Sequence, residues 1–369
     1  GKLYNGIDAE FKEGYKILVK DNKIEAVGRE IPQPETAEVV DLSDATVTPG
    51  MIDAHMHMDY IDWHTIREEV YTTSEEAKTI AIIRTAQKTL SRGFTTVRHP
   101  GGITSNGFGV LDVKRAIEKG YITGSRIVAA PRFLCAAGSH GDLSQGFARN
   151  PELSNIAQNL RLSLGAGKDF FANAVREEIK YGADFIKIMT TGLLDFEDHG
   201  RITGTPLSVA EVKEMVHIAH EEGFAVMSHT NGNYGVQAAV EAGVDSIEHA
   251  NYMDEETLSM LADSRSVWVP TLVTVRNLMD CGRFENEILS SIIRTGEENL
   301  KKAFRKKVHV AVGSDAGAFK VLHGKGTEDE CRAFFDILGE TPEVCAWMEE
   351  GEERIRTLFR HGSSNLIQV

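Results

Sequence analysis

From Pro49 onward, short apolar and β-branched runs alternate with longer stretches whose apolar residues recur at helical spacing. The runs cover 50–57, 94–98, 126–130, 184–190, 224–229, 246–249, 267–272 and 308–313, and most end in polar residues. Helical stretches between them include 74–92, 111–119, 172–181, 209–222, 234–242 and 254–262. Gly93, Gly182, Gly223 and Gly243 each follow one of these, as helix stops do. Strands alternating with helices predict a parallel sheet, and eight strands is the number that closes a (β/α)8 TIM-like barrel. Before Pro49, runs at 15–20 and 23–27 flank the turn-prone pair Asp21-Asn22, and 38–42 and 46–48 are further short strands. The expectation is an α/β protein with a small antiparallel unit over 1–48 and a barrel over 49–369. Helices at 327–338 and 342–360 are expected near the end.

Composition narrows the function. The 369 residues are 41% hydrophobic and 26% charged, as in an ordinary globular protein. A net charge of −15 argues against a nucleic-acid partner. The basic cluster Lys301, Lys302, Arg305, Lys306 and Lys307 reads as the solvated face of a helix. No stretch approaches the ~18 apolar residues of a membrane span. Cys135, Cys281, Cys331 and Cys345 form no CxxC pair, so free thiols and a cytoplasmic location are expected. The chain opens at Gly1 rather than Met, so a longer N-terminus is expected. Oligomeric state is not encoded in any pattern, which leaves a homo-oligomer open.

The chemistry lies at the strand ends. In Pro49-Gly50-Met51-Ile52-Asp53-Ala54-His55-Met56-His57, two imidazoles at i and i+2 point to one face and can chelate one ion. His229 ends the fifth run, His249 the sixth, and Asp315 follows the eighth. Active sites of such barrels sit at these C-terminal strand ends. Lys187 lies in the fourth run, on the face opposite Ile186 and Ile188, where a bare ammonium inside a barrel is costly. Desolvation favours the neutral amine, which can take up CO2, and the resulting carbamate can bridge two cations. Two divalent ions, with zinc the first expectation, would then activate a shared water against a carbonyl. Asp315 is placed to take the water's proton and return it to the leaving nitrogen.

These residues, in this order, resemble the amidohydrolase superfamily across nearly the whole chain to about residue 325. Gly93-Phe94-Thr95-Thr96-Val97-Arg98, Gly182-Ala183-Asp184-Phe185-Ile186-Lys187, Glu241-Ala242-Gly243-Val244-Asp245-Ser246-Ile247-Glu248-His249 and Gly313-Ser314-Asp315-Ala316-Gly317 are similar to its prolidase-like and imidazolonepropionase-like branch. The resemblance implies a small N-terminal β-sandwich. It also implies His55 and His57 on a buried ion with Asp315, a bridging carboxylated Lys187, and His229 and His249 on a second ion. His140, in Gly138-Ser139-His140-Gly141, matches a loop whose histidine contacts the scissile carbonyl oxygen. Two positions depart: Asn231 stands where peptidase-like members often carry tyrosine, and His99 where aspartate is usual. The family's Gly-Lys-x-Ala-Asp-like C-terminal strands do not follow Arg360.

The function expected is hydrolysis of an amide or peptide-like C–N bond in a small-molecule substrate, dipeptides and N-acyl amino acids among them. Arg98, Asn231 and Tyr234 are candidates to line the substrate pocket. His64, His99, His199, His323, Asp59 and Asp62 read as loop residues. The alternative is a mononuclear deaminase of a cyclic amidine or nucleobase-like substrate. Relatives of that kind carry a glutamate near the fifth-strand histidine and no strand-four lysine, and the present chain has the reverse.

Overall fold

The computed structural model describes residues 1–5, 10–60, 73–102, 108–142, 149–153, 155, 164–204 and 206–359. The N-terminal segment supplies β1 (Lys2–Leu3), β2 (Lys12–Glu13), β3 (Lys16–Lys20), β4 (Lys23–Gly28) and β5 (Thr46–Val47). Asp21 and Asn22 both have positive φ, 51° and 60°, as the two-residue turn between β3 and β4 requires. The unit is not wholly antiparallel, because β1 pairs antiparallel with β2 but parallel with β5. Residues 38–42, expected as a strand, form no ladder among the described residues, and Val39, Val40 and Leu42 are exposed.

Parallel strands and helices then alternate. They are β6 (Met51–Asp53), α1 (Glu75–Leu90), β7 (Phe94–Pro100), α2 (Phe108–Glu118), β8 (Arg126–Ala130), β9 (Phe133–Ala136), β10 (Leu164–Gly165), α3 (Lys168–Tyr181) and β11 (Ile186–Met189). A short hairpin of β12 (Leu194–Asp195) and β13 (Arg201–Ile202) precedes α4 (Val209–Glu221), β14 (Val226–Thr230), α5 (Gly232–Ala242), β15 (Ser246–His249), α6 (Glu255–Ala262) and β16 (Val267–Val269). Four helices close the list: α7 (Val273–Arg276), α8 (Asn286–Lys306), α9 (Lys325–Leu338) and α10 (Pro342–Leu358). The basic cluster Lys301 to Lys306 lies on α8, as expected. Arg360, the expected end of α10, is outside the described residues.

One sheet runs β6-β7-β8 and a second runs β10-β9-β11-β14-β15-β16. The third expected strand is two: β8 pairs with β7, and its continuation β9, missed in the sequence, pairs with β11. The Asp184 amide donates to Ala129 O at 2.8 Å and so links the two sheets. Residues 308–313, expected as the eighth strand, form no ladder. They are held by single bonds instead: Trp268 N to His309 O (2.8 Å), Ala311 N to Trp268 O (3.0 Å) and Ala54 N to Val312 O (2.9 Å). That segment therefore joins β16 to the end of β6.

Alternation sorts the side chains. Ile186, Ile188, Val226 and Ile247 pack outward against the helices with Phe171, Met215 and Leu258. Phe185, Met227, Val267, Val269, Ala54 and Ala311 form a separate inner cluster with Phe359. Lys187 is thus inward-facing, as the alternation predicts. Helix α10 latches onto the eighth segment: Trp347 Nε1 donates to Val308 O at 2.8 Å, and a Cβ added at Gly351 would stand 1.7 Å from Val310 O. Gly351→Ala is therefore expected to cost about 1–3 kcal/mol or more, because helix and segment must separate. Urea unfolding measures this, and an unchanged midpoint would show that the contact is slack.

Candidate active site

Strand β6 stops at Asp53, earlier than expected, and His55 and His57 lie on the bend beyond it. Buried Asp53 shapes that bend. Its Oδ1 accepts from the backbone N–H of His55 (3.0 Å) and Ser314 (3.1 Å), and its Oδ2 from the hydroxyls of Ser314 (2.6 Å) and Thr327 (2.5 Å). The Asp315 amide donates to His55 O at 2.7 Å. One aspartate thereby holds the first and last expected ligands together across the join between β6 and the eighth segment.

The two histidines share a face. Each Nε2 lies 3.3 Å from Asp315 Oδ1. The His249 ring centre is 5.0 Å from that of His55 and 4.5 Å from that of His229, and the His140 ring is 4.5 Å from His229. Ligand atoms of His55, His249 and Asp315 all fall within 4.8 Å of one another. Regular alternation would send His249 outward beside Ile247, but its φ of 65° is left-handed and turns the ring in. Asp315 (φ 55°) and Thr271 (φ 49°) are also left-handed, at ~1–2 kcal/mol each for residues with a Cβ. Such strain collects at functional sites.

Each imidazole has one nitrogen engaged by the protein. His55 Nδ1 meets Glu248 Oε2 (2.7 Å), His57 Nδ1 meets Gly101 O (2.6 Å), His249 Nδ1 meets Thr271 Oγ1 (2.6 Å) and His229 Nε2 meets Gly192 O (3.0 Å). The second nitrogen of each ring is then oriented as a ligand, as in metal sites. Burial disfavours the charged ring of His229 and holds it well below the usual imidazole range, and it pushes His249 down to about 3. Both rings are therefore neutral, the form that binds a cation. Burial would raise the Asp315 carboxyl, but His55 and His57 outweigh it and hold the group well below the usual carboxylate range. Thr271→Val should remove the partner of His249 and weaken retention of a divalent ion about tenfold or more. Dialysis against a chelator of known affinity reads this, and unchanged retention would deny Thr271 that role.

Lys187 is 1% exposed and makes no hydrogen bond or ion pair among the described residues. Burial lowers its pKa to about 8, against the pull of Glu248 and Asp315. A buried amine without a partner is expensive, and its presence on the inner face calls for a reason.

The candidate substrate residues fare differently. Arg98 is 1% exposed and lies beneath the ligands, donating to Ala54 O (2.6 Å), Ser246 Oγ (2.8 Å) and Glu248 Oε1 (2.9 Å), over the Phe359 ring at 4.3 Å. Each nitrogen of its guanidinium group thus donates to a protein acceptor. Buried Asn231 donates to Gly192 O (3.0 Å) and accepts from Asn251 Nδ2 (2.9 Å), and its Nδ2 lies 3.3 Å from His229 Nε2, so it ties loops together beside that ring. Tyr234 is 50% exposed on α5 and donates to Leu207 O (3.2 Å). His99 is buried and accepts from Met58 N (3.1 Å), and burial lowers its pKa to about 4. His323 Nε2 meets His57 O at 2.8 Å, while exposed His199 stands on the turn between β12 and β13. His64 and Asp62 are outside the described residues. Sequence reasoning missed Glu248 and Tyr60, whose ring stacks on His57 with centres 4.2 Å apart. The signal for Glu248 was present: Ser246 and Glu248 are polar residues at the inward positions of a wholly buried strand.

This geometry agrees with the comparison with known families, whose amidohydrolase family matches residues 46–348. The chain belongs to the amidohydrolase family. This amidohydrolase is 28% identical to ochratoxinase from Aspergillus niger over 338 residues, 85% of this chain and 68% of the relative. It is 23% identical to imidazolonepropionase from Vibrio cholerae over 288 residues, 70% of this chain and 64% of that enzyme. The crystal structure of a Xaa-Pro dipeptidase with methionine bound in its active site matches with a TM-score of 0.80 and 27% identity, over 98% of this chain and 87% of the other. An imidazolonepropionase and a dipeptidase are thus among the proteins this chain resembles. The amidohydrolase is accordingly a hydrolase acting on carbon–nitrogen bonds. No helix among the described residues is long and apolar enough to cross a membrane.

Proposed function

We propose that this amidohydrolase cleaves an amide or peptide-like bond of a small substrate at a pair of divalent ions held by His55, His57, Lys187, His229, His249 and Asp315. The observation that carries this is Lys187, a buried amine with no hydrogen bond or ion pair among the described residues, amid four histidines that each have one nitrogen fixed. The donor set of imidazole nitrogens and carboxylate suits zinc, and the lysine completes it once its neutral nitrogen bonds to CO2 and releases a proton. A pKa near 8 supports that step, because the neutral amine is far more populated close to physiological pH than in an exposed lysine. When bound, such ions lower the pKa of a shared water and polarise a carbonyl.

The protein's own groups do the rest. Asp315 stands between His55 and His57 and is ionised, so it can accept the proton of the attacking water and deliver it to the leaving nitrogen. His140, beside His229, is placed to donate to the carbonyl oxygen as charge develops there. The hydrogen bonds from 309–312 to β16 and to Ala54 support a closed (β/α)8 barrel over 49–369, with residues 1–48 as the small sheet unit. The likeness to a Xaa-Pro dipeptidase favours a dipeptide as substrate, with N-acyl amino acids as the second class to try. A screen of dipeptides, N-acyl amino acids, carbamates, ureas and lactones, with zinc loaded and bicarbonate supplied, tests this. Hydrolysis of an amide with two ions per chain is expected. One ion per chain with ammonia released from an aminated heterocycle would establish the deaminase instead.

A further inference from the structure

We propose that Glu248, held in place by Arg98 and Ser246, is a positioning residue that presents His55 to the metal and sets the affinity of the ion His55 holds. The inference rests on the two-ion reading above and deepens it. Among the four imidazoles, His55 alone has its fixed nitrogen on a carboxylate. The others meet two carbonyl oxygens and a hydroxyl. A carboxylate on Nδ1 pins the proton there, leaves the Nε2 lone pair facing Asp315, and makes the ring a stronger donor to a cation.

The carboxylate is itself built in. Glu248 is fully buried, with Oε1 accepting from Arg98 (2.9 Å) and Ser246 (2.6 Å) and Oε2 turned to His55. Arg98 supplies the charge that lets a carboxylate persist there without water. Its Nε also grips Ala54 O, the carbonyl next to His55, so a single guanidinium fixes both the acceptor and the backbone that carries the ring. The Phe359 ring closes the assembly from below. The three charged or polar partners come from β7 and β15, whereas the histidine stands beyond β6. The contact therefore crosses the inside of the sheet and is not a neighbouring-residue accident.

The test uses zinc. Zinc content, zinc Kd against a chromophoric chelator, and the Tm of the metal-stripped protein are measured for wild type, Glu248→Asp, the double variant Arg98→Met with Glu248→Leu, and the double variant Arg98→Met with Glu248→Gln. Replacing a buried pair by apolar residues of similar size is often neutral for folding, so the Met/Leu protein should keep its stripped Tm yet bind zinc about ten- to a hundredfold more weakly. The Gln protein retains an oxygen acceptor for Nδ1 and should recover most of that loss. Glu248→Asp keeps the charge opposite Arg98 but withdraws the carboxylate by one methylene. It should lose about tenfold in affinity, and it decides the matter should the Met/Leu protein not fold. Zinc affinity equal to wild type in either Glu248→Asp or the Met/Leu protein overturns the inference. A wild-type protein that binds no zinc would defeat the two-ion reading instead.

Discussion

Lys187→Ala should fold, lose its second ion and lose turnover by about a thousandfold or more. The fold survives because Lys187 donates no hydrogen bond among the described residues, so no acceptor is stranded when it goes. Removing an unpartnered amine from the inner face also removes a desolvation cost, which offsets part of the cavity left behind. The loss of rate follows from the chemistry: polarisation and water activation by ions contribute several kcal/mol, and each 1.36 kcal/mol is tenfold. Metal analysis should find the count falling from two per chain towards one. A short carboxylate such as acetate or propionate fits the space vacated and should restore part of both. Full turnover by the alanine protein would leave Lys187 without a catalytic role.

The second large effect is expected of Asp315→Asn. An amide occupies the same space between His55 and His57 but cannot carry a proton from water to a leaving nitrogen. With zinc saturating, kcat should fall about 10²- to 10⁴-fold, the usual worth of a positioned acid–base group, while KM changes little. The backbone bond from residue 315 to His55 O persists, so the local fold is retained. Asparagine is also a weaker ligand, so zinc is titrated to saturation before kcat is compared. A kcat within tenfold of wild type would move the proton transfer to another group.

That most of the expected ligand positions lie near one end of the sheet was legible because strand arithmetic is simple. A run of apolar residues tells where a strand lies, and the residue at its end lies at one rim of the sheet. The inward side of Lys187 followed from Ile186 and Ile188 alone, and both pack outward. His249 reached the site against that arithmetic, through a left-handed turn that no local pattern announces. The buried partners of Arg98 were not legible because depth is invisible in one dimension. A cation at a strand end can face a ligand or the interior, and its partner Glu248 is 150 positions away (248 − 98). Asn231 and Tyr234 follow a ligand in sequence, but a helix begins at Gly232 and carries Tyr234 to the outside. Residues 38–42 have the β-branched look of a strand and find no partner, since pairing depends on what lies alongside.

The join between the beginning and the end of the sheet bears on how the enzyme is made. His55 and Asp315 are 260 positions apart (315 − 55), yet they touch through Asp53, Ser314 and Thr327. A ribosome releases the histidine pair long before the aspartate that faces it, and domains of this size gather their long-range contacts late. Capture of a divalent ion would then follow synthesis of α9, and a nascent chain halted before α9 should leave the ribosome unable to retain such an ion at this centre.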